Sequence, residues 1–135
     1  MTLHGQEHIE RYVATDGAEG YDWREGTTIL ILTTTGRRSG ESRRNALIFR
    51  AHSDAYLVVG SKGGAAQPPD WYRNLQADPA VQVQIRGERF AARARTATPD
   101  EKPEVWQAML EVWPAYADYQ EKTSRETPVV VLERA

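Results

Sequence analysis

The segment Val81-Gln82-Val83-Gln84-Ile85 alternates apolar and amide side chains without a break. Only an extended strand, whose side chains point to opposite faces in turn, puts its three apolar groups on one side. A half-buried strand is therefore predicted over residues 80–86. Gly87-Glu88 reads as a two-residue turn into a second strand over residues 89–97, so the unit is an antiparallel hairpin.

The rest of the chain extends this pattern. Residues 27–35 are a breaker-free run of β-branched and aliphatic side chains, too rich in Thr and Ile to favour a helix. Residues 36–41 form a turn, residues 43–51 a strand ending in the His52-Ser53-Asp54 turn, and residues 55–60 a strand at hairpin spacing. After a Gly- and Pro-punctuated loop, Asp70 is placed to cap a short helix that Asp78-Pro79 ends near residue 77. Thr98 with Glu101 three residues on opens another helix, with Val105, Met109 and Val112 on one face, that stops near Pro114. A final strand spans residues 128–132. Six strands in meander order, with helices inserted after the third and fifth, predict a mainly β (α+β) chain: a small antiparallel barrel capped by helices. Residues 1–26, with a short helix around residues 6–14 and a Gly-rich acidic connection, are read as an arm or lid, and residues 27–135 as the one domain.

The chain has no cysteine, which removes disulfides, thiolate metal ligands and thiol nucleophiles together. His4 and His8 share a helix face only if that helix starts early, and His52 stands alone in a turn, so no metal site is read. No run approaches the length of a spanning helix and no secretory signal is seen. A cytoplasmic monomer is expected, with peripheral membrane contact left open. The net charge of -2 gives no overall pull toward nucleic acid. Residues 36–62 depart from that balance: Arg37, Arg38, Arg43, Arg44, Arg50 and Lys62 face only Glu41 and Asp54, a local net of +4.

That charge sits where backbone is available. Thr33-Thr34-Thr35-Gly36-Arg37-Arg38-Ser39-Gly40 leaves a strand with hydroxyl donors and glycines around two arginines, the composition of an anion cradle. It matches neither the GxxxxGK[ST] nor the GxGxxG spacing, so nucleotide-loop and dinucleotide readings fail. The turn at Gly60-Ser61-Lys62-Gly63-Gly64 suits a carbonyl-bearing heterocycle. Trp71, Tyr72, Trp106 and Trp113 offer aromatic walls, while Tyr116 and Tyr119 lie on a segment too polar to bury fully, where phenols close a pocket and donate protons.

The strings Leu32-Thr33-Thr34-Thr35-Gly36-Arg37-Arg38-Ser39-Gly40, Ser61-Lys62-Gly63-Gly64-Ala65, Pro69-Asp70-Trp71-Tyr72-Arg73-Asn74-Leu75, Val81-Gln82-Val83-Gln84 and Tyr116-Ala117-Asp118-Tyr119-Gln120, in this order and spacing, resemble the deazaflavin-dependent nitroreductase family over residues 27–133. The resemblance implies a split β-barrel like that of flavin mononucleotide binding proteins, with reduced coenzyme F420 in a groove. It implies that Arg37, Arg38 and Arg43, with Ser39, Gly40, Glu41 and Ser42, hold the phosphate and the acidic oligoglutamyl tail. Val59, Gly60, Ser61 and Lys62 then line the deazaflavin, Asp70, Trp71, Tyr72, Arg73 and Asn74 complete the cofactor side, and Tyr116 faces ring or substrate. The family's tyrosine before the proline of this segment is Trp113 here, and the N-terminal arm has no clear counterpart.

The implied reaction is hydride transfer to an electrophilic small molecule such as a quinone, nitroaromatic or activated enone. Ser61 and Tyr116 are expected to orient that substrate, Tyr119 to assist, and Trp71 with Trp113 to exclude water. Two other readings stand beside it: a flavin mononucleotide reductase on the same barrel, and a non-catalytic F420 carrier. Nucleic-acid binding is disfavoured by the acidic balance.

Overall fold

The structure, a computed structural model, describes Leu3, residues 5–61 and residues 67–135. Among these residues seven strands form one antiparallel sheet: β1 (Ile29–Thr35), β2 (Ser42–Ile48), β3 (Arg50–His52), β4 (Ala55–Val59), β5 (Ala80–Ile85), β6 (Glu88–Thr96) and β7 (Val129–Arg134), in the order β2-β1-β5-β6-β7-β4-β3. The two outer members are halves of one segment parted at Phe49. Its first half pairs with β1 and its second with β4. A single bent segment thus belongs to both ends of the ladder, and the sheet curls into a split β-barrel. Phe49 anchors the bend, with its side chain buried in the interior and its N–H donating to the Thr28 carbonyl at 3.1 Å.

The expected meander is not what forms. β4 pairs with β7, and β1 with β5. Helix α2 (Asp70–Ala77) packs on β1 and β6 and carries the chain from β4 across to the edge of β1. Neighbours in sequence pair in the hairpins β1–β2, β3–β4 and β5–β6, and in β6–β7 across a long helical connection.

The β5–β6 turn also falls one residue earlier than predicted, on Arg86-Gly87, with Ile85 paired to Glu88. Arg86 takes φ 54, a left-handed conformation that L residues rarely adopt. Tertiary contacts hold it there: its N–H donates to the Tyr12 hydroxyl at 2.7 Å and its guanidinium lies 4.0 Å from the Tyr21 ring centroid. The slip moves both strands by one residue, so Val81 and Val83 still face the interior.

Each strand's pattern fits the layers around it. Leu30, Leu32, Val58, Val81, Val83, Val130 and Leu132 fill the interior. Helix α1 (Gly5–Thr15) lays Ile9 and Tyr12 over Ile29 and Ile31, the opposite face of β1. Helices α3 (Lys102–Val112) and α4 (Ala115–Glu121) cover Leu57, Val59, Val129 and Val131 on the other side. Strands covered on both faces read as unbroken apolar runs, which is why β1 and β7 do not alternate.

Helix ends are set locally. Thr98 and Glu101 exchange the predicted reciprocal bonds, Thr98 N–H to Glu101 Oε1 at 2.8 Å and Glu101 N–H to Thr98 Oγ1 at 3.4 Å, but Glu101 rather than Thr98 is the N-cap of α3, so the box closes the turn leading into the helix. Asp70 does not cap α2: Pro69 occupies the N-cap position and Asp70 the first helical one, its carboxylate turned instead toward Arg37.

Candidate functional site

One large groove, about 1140 Å³, runs along β2 between α1 on one side and α2 and α4 on the other. Its volume is at the upper end of ligand pockets, which run to roughly 1,000 Å³, so it suits an extended ligand rather than a single small ring. Every residue of β2 contributes to it.

One end is cationic. Arg37, Arg38, Ser39, Ser42, Arg43 and Arg44 line it around the turn between β1 and β2. The turn is closed by Gly36 N–H to the Glu41 carbonyl at 2.7 Å and Gly40 N–H to the Gly36 carbonyl at 2.8 Å. A side chain at Gly36 would crowd this turn, its Cβ 2.8 Å from Ser39 Oγ and 3.2 Å from the Glu41 carbonyl. Glu41 sits 3.4 Å from Arg43 and does not line the groove.

The arginines are not equivalent. Arg37 is clasped by α2, its backbone N–H and Nη1 donating to Asn74 Oδ1 at 3.2 and 2.8 Å and its Nη2 lying 3.4 Å from Asp70. The buried Asn74 also donates to Thr34 Oγ1 at 3.3 Å, so one amide ties strand, turn and helix together. Arg38 and Arg43 are exposed. Arg37 and Arg43 each have a carboxylate 3.4 Å away, Asp70 and Glu41, and with Arg38 and Arg44 beside them this end of the groove keeps a net positive charge that an anion would neutralise.

The other end is aromatic. Val59, Ser61, Trp71 and Tyr116, all buried, line it with Tyr119, Trp113 and Trp23. Trp23 and Trp113 meet at 5.9 Å between ring centroids, joining the N-terminal segment to the start of α4. Tyr116 is more deeply buried than its polar segment implies, because Pro114 turns α4 so that this phenol packs edge-on to Tyr119 at 6.1 Å and against Trp106. Burial pushes the Tyr116 phenol well above its ordinary value near 10, and the neighbouring Tyr119 adds to the shift. Its hydroxyl therefore keeps its proton.

The groove thus brings together Arg37, Arg38, Ser39, Ser42, Arg43, Val59, Ser61, Asp70, Trp71, Asn74, Tyr116 and Tyr119 from segments far apart in sequence. Gly40, Gly60, Tyr72 and Arg73 do not line it. Tyr72 faces the interior with its hydroxyl 2.8 Å from Thr96 Oγ1, and Arg73 binds Gln67. Lys62 lies outside the described residues. Sequence reasoning missed the contribution of Gln6, His8, Ile9 and Trp23. The usable signal was in β1: Ile29 and Ile31 are apolar on the face away from the barrel interior, which demands a covering element.

A family model for F420H(2)-dependent quinone reductases matches residues 4–134. An F420H(2)-dependent quinone reductase of Mycobacterium tuberculosis is 37% identical over 130 residues, covering 94% of this chain and 87% of that protein. The solved structure of an F420-H2 dependent reductase superposes with a TM-score of 0.72 at 38% identity, covering 78% of this chain and 93% of the other. A structure described as a domain-swapped dimer superposes at 0.75 with 36% identity, covering 95% and 96%. With a family match over nearly its whole length and relatives at this identity, the chain belongs to the F420H(2)-dependent quinone reductase family.

Proposed function

We propose that this protein binds reduced coenzyme F420 in the groove along β2 and passes its hydride to a quinone. The observation that carries this is a single groove with four arginines at one end and a buried wall of Ser61, Trp71 and Tyr116 at the other. A cofactor with a polyanionic tail and a flat carbonyl-bearing ring fits such a site. Flavin mononucleotide, with one phosphate, leaves most of the cations unused.

When bound, the reduced deazaflavin supplies the hydride. Arg38 and Arg43 grip phosphate and carboxylates through charge-assisted hydrogen bonds, while Arg37, fixed by Asn74, holds the turn in shape and presents its remaining donors. Ser61 and Tyr116 offer hydroxyl donors to ring or acceptor carbonyls. Tyr119 accepts from Trp113 Nε1 at 3.4 Å and so sets that indole's orientation. Trp71 and Trp113 exclude water, which strengthens each polar contact inside. No side chain need act as a nucleophile.

The described part of the N-terminal segment serves as the second wall of the groove, with α1 and Trp23 facing α4 across it. Nitroaromatics and activated enones share the electrophilic character of quinones and are accepted by the same site. No helix among the described residues is long and apolar enough to cross a membrane.

The test is anaerobic turnover with reduced F420 and a panel of acceptors led by menadione, followed by loss of reduced-cofactor absorbance. Quinone-dependent oxidation well above the uncatalysed rate is expected. Tight cofactor binding with no turnover on any acceptor would instead make the protein a carrier.

A further inference from the structure

Outside the groove, the loop between α4 and β7 is built to hold the end of β4. Arg125 extends from this loop and donates through Nη1 to the Gly60 carbonyl at 3.2 Å and through Nη2 to the Ser61 carbonyl at 2.9 Å. Its own backbone is fixed, the carbonyl accepting from Gln120 Nε2 at 2.8 Å and the N–H donating to Thr123 Oγ1 at 3.2 Å. The same loop takes the Gly60 N–H on the Pro128 carbonyl at 3.0 Å. Three bonds from one loop thus fix the Gly60 N–H and the Gly60 and Ser61 carbonyls where the aromatic end of the groove begins.

We infer that Arg125 is a positioning residue for hydride transfer, acting from behind the groove through Gly60 and Ser61. Among the described residues no peptide bond is cis, and in a trans peptide the C=O and N–H point in opposite directions. With the Gly60 carbonyl held by the guanidinium, the Ser61 N–H points the other way. Among the described residues no acceptor meets that N–H, and Ser61 is buried at 7% exposure while lining the groove. A cation on the carbonyl polarises the peptide and makes its N–H a stronger donor. Arg125 therefore orients and sharpens the donor that Ser61 offers, a role that rests on the groove's holding F420. Lysine cannot reproduce it fully, because a bidentate fork onto two carbonyls needs the planar guanidinium.

The test compares full-length Arg125→Met and Arg125→Lys with wild type. The Ser61 amide resonance of the cofactor-free protein is read by heteronuclear NMR. F420 affinity is read by fluorescence titration, and kcat and KM with menadione by absorbance. In Arg125→Met the Ser61 amide is expected to shift. F420 affinity should weaken about tenfold and kcat fall about ten- to hundredfold with menadione KM little changed, the scale for one charged hydrogen bond and a small misplacement. Arg125→Lys should recover part of both losses. An unmoved Ser61 amide, or wild-type affinity and kcat in Arg125→Met, overturns the positioning role. A wild-type chain that fails to bind F420 overturns the functional assignment instead, and the two failures are told apart within one experiment.

Discussion

Arg37, Arg38 and Arg43 stand within a few residues of each other, yet their side chains do different work. Arg38→Ala or Arg43→Ala removes an exposed cation with little packing, so thermal stability should hold while F420 affinity falls by about 1.5–3 kcal/mol each, the range for hydrogen bonds to charged groups. Arg37→Ala also takes the guanidinium from Asn74 and should cost about 1 kcal/mol of stability as well. Paired thermal midpoints and F420 titrations separate the two classes. The charge cluster itself was legible in the residue order. The clasp was not, because it needs Asn74 on α2 to meet a turn 37 positions earlier in the chain.

Tyr116 is the second case. Its phenol is raised by burial, so the protonated form is the one the fold stabilises. Stability from that group is complete below the ordinary phenol value and is lost as pH rises beyond it, so the thermal midpoint should decline above about pH 10. Tyr116→Phe should flatten that decline and lower quinone turnover more than F420 affinity. Its pH–rate profile near neutrality should match wild type, since the phenol does not titrate there. Unchanged kinetics would reduce Tyr116 to packing. The sequence placed this residue on the site but set it too near the surface, since the polar residues around it hid how Trp106 and Tyr119 enclose its ring.

Among the elements, α1 has the clearest anchor. The Tyr12 hydroxyl is fully buried, donating to the Ile29 carbonyl at 2.9 Å and accepting from the Arg86 N–H at 2.7 Å. It joins helix α1, strand β1 and a left-handed turn. Tyr12→Phe leaves both backbone groups short of a partner and should lower unfolding stability by about 1–3 kcal/mol. Chemical denaturation measures this, and a neutral result would show that the turn at Arg86 is held by its contact with Tyr21 alone. Strands and helices could be read from sequence because their signals are local: alternation in β5, breaker-free runs in β1 and β7, the Thr98–Glu101 box. Strand order could not. Whether β4 meets β5 or β7 depends on how α2 crosses the barrel, and no local pattern encodes that.

At the scale of the whole molecule, the governing fact is an uneven charge distribution. The chain is net -2, yet four arginines face one end of its main groove. Attraction for a multiply charged tail acts partly through solvent and is screened by salt, so F420 affinity should fall as ionic strength rises. Neutral groups at the aromatic end are indifferent to salt, which lets the two ends be distinguished. The most direct measurement is a pair of fluorescence titrations on the wild-type chain, F420 against flavin mononucleotide, at low and high salt. F420 should bind far more tightly than flavin mononucleotide and lose more affinity when salt is added. Equal or reversed affinities, or an F420 affinity untouched by salt, would contradict an arginine-held deazaflavin in this groove.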